Sequence, residues 1–336
     1  MPLLGKPPQG AFFDTDFSSI GDLLAVSLLY GLQNRGTCRV AVITVSRPNL
    51  AVAGFADAVV RFYHGPAANF AQLPPIGMRT AGPAGETSPA FTLPFQKTKP
   101  DGTAVYRNLV KSVVDTADPI TLVRNYLEAQ SDGDAFFVLS GPASNLAAAL
   151  AFPGMKEKIA AKVKLLAVAC GAFPNGPADP CFACDIPAAQ KLFAEWPSPI
   201  VVSGAEIGDA IPFPGAAIDK EFAAIADHPV ADAYRAWQPM PFDAPSAALA
   251  AALYAARPAE GCFQLSAPGK IRVDDRGRAS FGESAAGNHR YLIFDPAQKV
   301  KVAQAYVELA ASRPQIHRPL RPPVAPDAPA AAPADK

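Results

Sequence analysis

Three aspartates crowd into one short stretch near the start of the chain, in Asp14-Thr15-Asp16…Asp22. Carboxylates this close repel one another unless a cation or a shared proton compensates them, and a hard, oxygen-seeking ion such as Ca²⁺ is the natural candidate. Aspartate also caps helices and opens turns, so the same residues have a plainer reading as local structure. A second chemical candidate is Cys181-Phe-Ala-Cys184, which has the two-residue spacing of zinc and redox motifs. Zinc needs two more ligands, and no further close Cys or His pair supplies them, so zinc is not expected there. His64, His228, His289 and His317 are scattered, and Gly82-Pro-Ala-Gly85 lacks the preceding strand and the lysine of a phosphate loop.

The elements that must position these groups alternate. Ala11-Phe12-Phe13 reads as a buried strand that delivers Asp14 at its carboxyl end, and a helix starting at the capping-type Asp22 stops near Gly31. A strand over 39–46 and a helix over about 49–63 continue the pattern. The stretch 65–103 is rich in Pro, Gly and Thr and reads as a long irregular excursion beside a site. Strands are expected at 134–140, 163–170 and 199–203, with helices from Pro142 and over 186–196. Past Pro214 the pattern turns helical, over 222–237 and 246–257. A hairpin then follows about Asp275-Arg-Gly277, with a strand at 290–294 and a helix over about 297–312. The fold class is therefore α/β, a mostly parallel, doubly wound sheet with C-terminal helices and a small hairpin. Residues 1–312 read as one domain, and the Pro/Ala-rich 313–336 as a disordered tail.

The bulk properties exclude several function classes. Of 336 residues, half are apolar and 18% charged, and 30 basic residues balance 30 acidic ones. That leaves no electrostatic footprint for nucleic acid or an anionic membrane, and no apolar stretch is long enough to span a bilayer. The partner expected is a small molecule, with a second copy of the chain as an open option. Residues 1–10 lack the layout of a signal peptide, although a leader removed before the numbering begins would not show. Five cysteines are an odd number in a chain too large to need disulfide staples, which suits a reducing compartment, by default the cytoplasm.

Phe13-Asp14-Thr15-Asp16 followed by Asp22-Leu-Leu-Ala resembles the opening Asp-x-Asp-Pro-Gly-x-Asp-Asp-Ala signature of the inosine-uridine-type nucleoside hydrolases. Val42-Ile-Thr-Val-Ser46, Ser140-Gly-Pro-Ala-Ser-Asn-Leu146, Asn175 through Cys184-Asp185-Ile-Pro-Ala-Ala189, and Ile200 to Gly208 are similar to later family segments, in the family's order. The resemblance covers roughly residues 11–312. It implies hydrolysis of the N-glycosidic bond of a ribonucleoside by water, through an oxocarbenium-like transition state, with Ca²⁺ lowering the water's pKa. By position, Asp16 would be general base and metal ligand, Asp22 a metal ligand, and Ser144 a ligand through its backbone carbonyl. Asp14 would support the loop, and Asn175 and Asp179 would face the ribose or a related ribosyl ligand.

The chain also departs from that pattern. Gly21 stands where the family has the first of two consecutive acids, and Cys181 stands where it has a second ribose-binding Asn, a thiol filling the vacated space or, if it faces the pocket, a reactive one. Ala247-Ala248 occupy the place of the family's His-Asp or Trp-Asp pair, whose Asp completes the metal site. Asp243 is the alternative, but Asp243-Ala-Pro-Ser reads better as a helix cap. With a ligand missing from the metal site and contacts missing from the ribose site, the expected outcome is weak or lost hydrolysis. Ca²⁺ or no cofactor at all would follow, and a binding or oligomer-partner role on a retained fold is the alternative.

Overall fold

The computed structural model describes residues 8–65, 68 and 72–314. The segments 1–7 and 315–336, which carry most of the expectations about a leader and a tail, lie outside the described residues, as does His317. Among the described residues eleven strands form the sheet: β1 (Gln9–Thr15), β2 (Cys38–Val45), β3 (Ile76–Met78), β4 (Ala135–Ser140), β5 (Val163–Val168), β6 (Asn175–Ala178), β7 (Ile200–Val202), β8 (Gln264–Leu265), β9 (Gly269–Val273), β10 (Arg278–Glu283) and β11 (His289–Ile293). Their order is β3-β2-β1-β4-β5-β7-β11-β9-β10-β6, with β8 paired to β11. The first seven of these are mutually parallel, and the β9–β10–β6 end and β8 are antiparallel.

The helices are α1 (Ile20–Asn34), α2 (Leu50–His64), α3 (Pro119–Glu128), α4 (Ser144–Ala149), α5 (Met155–Lys162), α6 (Pro180–Cys184), α7 (Ile186–Glu195), α8 (Ala205–Ala210), α9 (Ala216–Lys220), α10 (Pro229–Trp237), α11 (Ala247–Ala256) and α12 (Lys299–Ala310). Alternate strand residues feed two cores. Ala11, Phe13, Ile43 and Val138 pack with α1, α2, α10, α11 and α12, whereas Phe12, Val42, Phe137 and Leu139 pack with α3, α4, α5 and α7. Strands covered on both faces lose the polar alternation of a half-exposed sheet, which is why β1, β2 and β4 read as apolar runs.

Several boundaries differ from the sequence expectation. α1 begins at Ile20 rather than Asp22. Ser19 is its cap, and Asp22 closes a capping box by accepting from Ser19 N at 3.1 Å. The single helix expected over 222–237 is a short 3₁₀ turn and then α10, which Pro229 opens. β3 and β6 were not expected, being too short to show a period.

Candidate functional site

Strand order runs outward from β1 through β2 to one edge and from β4 through β5 to the other. The chain therefore parts at the carboxyl ends of β1 and β4, where open parallel sheets bind ligands. Asp14 and Thr15 end β1 there, level with Leu139 and Ser140 of β4. Gly141 permits the close approach that follows, because a Cβ on it would lie 2.6 Å from Ser46 Oγ and 2.7 Å from Asp16 N. Phe17 turns the chain with φ +48 and buries its ring, a strained conformation for a residue with a side chain.

The three aspartates are all buried, but each already has partners. Asp14 Oδ1 accepts from Thr44 Oγ1 at 2.7 Å and Asn145 Nδ2 at 2.9 Å, while its Oδ2 is buried with no partner among the described residues. Burial pushes the Asp14 carboxyl up to about 7, against the two hydrogen bonds. Asp22 is pushed well above the ordinary carboxylate range, by burial first and by the nearby Asp16 charge second. Asp16 Oδ1 accepts from Ser18 N at 3.1 Å, and its Oδ2 takes Arg47 Nε at 2.6 Å. In that ion pair the Asp16 side chain is 1% exposed and that of Arg47 21%. A guanidinium supplied by the chain thus compensates the carboxylate that the resemblance casts as general base.

A cavity of about 220 Å³ opens beside this loop, walled by Asp22, Ser140, Asp179, Cys181 and Ala248, with Asp209 of α8 added. Gly21 and Ala247 also line it. Positions read from four separated stretches of sequence therefore meet in one wall. Asp14, Asp16, Ser144 and Asn175 do not line it. Ser144 Oγ instead donates to Asp185 Oδ2 at 2.5 Å, and Asn175 is exposed on β6 opposite Ser280. Asp179 caps α6 and accepts from Cys181 N and Gly171 N, each at 2.9 Å.

The departures from the family pattern acquire physical reasons. No side chain fits at Gly21, where a Cβ would lie 2.3 Å from the Pro245 carbonyl oxygen. Ala248 is buried in α11 and brings no oxygen. Asp243 does not cap that helix, which starts at Ala247; its Oδ1 accepts from Gly215 N at 2.8 Å. Cys181 is not a free thiol. The turn after β5 carries Cys170 to the start of α6, and the two form a disulfide with Cα atoms 6.2 Å apart. The bridge departs from the expectation that all five cysteines are reduced; Cys38, Cys184 and Cys262 are not bridged.

The donor set does not fit the Ca²⁺ that the resemblance implies. Asp16 is held by Arg47, Asp22 is committed to the capping box, and Ala248 is apolar. Among the described residues, the one group of three ionisable side chains with ligand atoms in metal-binding proximity is Cys170, Asp179 and Cys181. Arg47, the partner of Asp16, was not singled out from the sequence. Its only local signal is a basic residue just past β2, at the end of the sheet where the acids lie. Glu206 was missed as well. It accepts from Phe173 N at 3.1 Å, keeps a buried Oε1 with no partner among the described residues, and has a carboxyl raised by burial.

No family model matches the chain, and no curated protein matches it. Solved structures do. A plant nucleoside hydrolase superposes with a TM-score of 0.67 at 16% identity, covering 91% of this chain and all of the other. A purine-preferring ribonucleoside hydrolase from Gardnerella vaginalis gives 0.66 at 16% identity, covering 90% of this chain and 99% of its own. An inosine-uridine preferring nucleoside hydrolase from Bacillus anthracis gives 0.64 at 14% identity, with 90% and 99% covered. The chain has the nucleoside hydrolase fold.

Proposed function

We infer that this chain is a divergent nucleoside hydrolase-like protein whose cavity binds a ribosyl-type small molecule, and that metal-assisted hydrolysis is lost from it. The observation that carries this inference is the Arg47–Asp16 pair, 2.6 Å long and buried at the carboxylate. A general base needs an oxygen within reach of the water's proton, and here Asp16 Oδ2 already accepts from the Arg47 guanidinium and Oδ1 from Ser18 N. The lost polar groups add to this. Hydrogen bonds to charged groups contribute roughly 1.5–3 kcal/mol each, so two missing ribose contacts lower a rate by orders of magnitude. The cavity of about 220 Å³ is smaller than the roughly 300–1,000 Å³ of ordinary ligand sites, which favours a pentose-sized occupant. Asp22, Asp179 and Asp209 in its wall suit a ligand rich in hydroxyl groups. Residues 1–312 are taken as one domain, because one sheet draws strands from Gln9 to Ile293.

A residual hydrolase is the second reading, favoured by the retention of Asp14, Asp16 and Asp22 in one buried loop. The two separate in one experiment. Ribose and a panel of ribonucleosides are titrated by calorimetry, and free base is assayed with and without millimolar Ca²⁺. Saturable, Ca²⁺-independent binding without base release is expected. Ca²⁺-dependent base release that disappears in Asp16→Asn would establish the hydrolase instead, and no binding by any ligand would reject both.

A further inference from the structure

Cys170 lies two residues beyond β5, and Cys181 is the second residue of α6, with Asp179 capping that helix between them in sequence. Their two sulfurs and a carboxylate oxygen all lie within 4.8 Å of one another, in the wall of the cavity. Backbone N–H groups of Gly171 and Cys181 each take one Asp179 oxygen, which fixes the carboxylate while leaving each oxygen a further lone pair. The Gly141 carbonyl oxygen lies beside the pair, 2.9 Å from Cys181 Sγ and 3.8 Å from Cys170 Sγ. Cys184, the other half of the two-residue motif, is outside the group.

We propose that in the reduced protein Cys170, Cys181 and Asp179 bind a thiophilic divalent cation, Zn²⁺ by the chemistry of the donors. Two thiolates favour Zn²⁺ over Ca²⁺ and Mg²⁺, and the carboxylate favours it over monovalent copper. Three protein ligands are the number found in open zinc sites, which keep a position for water or a ligand. The same two sulfurs therefore have two states. A dithiol or phosphine reductant supplies two electrons, the S–S bond breaks, and each sulfur is left as a thiol. Binding of Zn²⁺ then releases one proton from each. A two-electron oxidant such as a peroxide or a second disulfide takes two electrons from the metal-bound thiolates, the S–S bond re-forms, and the ion leaves because the bridged sulfurs are no longer thiolates. Such a site would exist whether or not the cavity takes a ribosyl ligand.

The test uses the full chain, reduced without air by a phosphine that is then removed, and titrated with Co²⁺ as a visible stand-in for Zn²⁺. One Co²⁺ per chain with a thiolate-to-cobalt charge-transfer band is expected, displaced by Zn²⁺ and absent from the oxidised protein. Cys170→Ser and Cys181→Ser should each lose the band. Asp179→Asn should keep it with affinity lowered about tenfold or more, one ligand having lost its charge. Cys184→Ser should change nothing. Zn²⁺ should also protect Cys170 and Cys181 of the wild-type chain from alkylation, read by mass spectrometry, which decides the matter even where a serine variant does not fold. Failure to bind stoichiometrically, a band that survives either serine substitution, loss of the band in Cys184→Ser, or unprotected cysteines would overturn the proposal. None of these readouts involves a nucleoside, so they are independent of the function proposed above.

Discussion

Arg47 and Asp16 follow the ends of different strands, β2 and β1, and neither has a neighbour in sequence that announces the other. Their pairing gives the buried acidic loop a counter-charge from the chain itself, since one guanidinium meets one carboxylate while Asp14 and Asp22 are driven by burial toward their neutral forms. Removing one member of such a pair strands the other. Arg47→Met should lower stability by about 2–4 kcal/mol in urea unfolding, less than a fully dry pair because the guanidinium is partly exposed. Adding Asp16→Asn should recover most of that. The single variant should also gain thermal stabilisation from millimolar Ca²⁺ that the wild type lacks. A cost below about 0.5 kcal/mol would mean that the pair behaves as a surface ion pair and does not hold the loop. At this scale the acids were legible as a cluster, whereas their counter-ion was not.

At the N-terminus of α1 the element, rather than any one side chain, decides what the site can be. Ser19 Oγ accepts from Gly21 N, Asp22 accepts from Ser19 N, and the helix start lies against the Pro245 carbonyl. Ordinarily a glycine inside a helix is about 0.5–1 kcal/mol worse than alanine. Here the sign should reverse. Gly21→Ala should destabilise by about 1–3 kcal/mol, the cost of overpacking against backbone, measured as a fall in melting temperature. Gly21→Asp should fall at least as far, so restoring the family's acid by this change alone would not restore a ribose contact. A neutral or stabilising alanine would show that the Pro245 segment yields. The capping box was readable only in part: Asp22 was recognised as a capping residue, but Ser19 as the true cap depends on where the backbone turns after Phe17.

Across the whole molecule, buried histidines set a pH dependence of stability. His228 is enclosed by Phe62, Phe222 and Tyr63, and burial lowers its pKa from 6.5 to about 3. His289, buried near the far end of the sheet, is lowered to about 4 by burial and then by Lys270. With a folded pKa below the unfolded one, the stability each contributes is complete above about pH 6.5. It is lost as pH falls through that window, because only the unfolded chain takes up the proton. The slope is about 1.4 kcal/mol per pH unit for each group. His228→Phe should therefore gain on the wild type by about that much per unit between pH 6 and pH 4, in paired urea titrations. Parallel curves would mean that His228 is protonated in the folded state.

What the sequence determined by itself was the alternation of buried strands and helices, the parallel body of the sheet, and the end of it at which the acids gather. These follow from local patterns: apolar runs long enough to show a strand, and Gly, Pro and Asp at the breaks. Gly21, Cys181 and Ala248 were read as departures from an ordered set of segments, and all three line the cavity. Only the tertiary structure could decide which groups meet. Arg47 reaches Asp16 across two parallel strands, and Cys170 reaches Cys181 because the chain turns back between β5 and α6. The Pro245 carbonyl, more than two hundred residues away in the chain, lies directly against Gly21. Contacts between residues distant in sequence depend on how elements pack, and no local pattern of residue types encodes that packing.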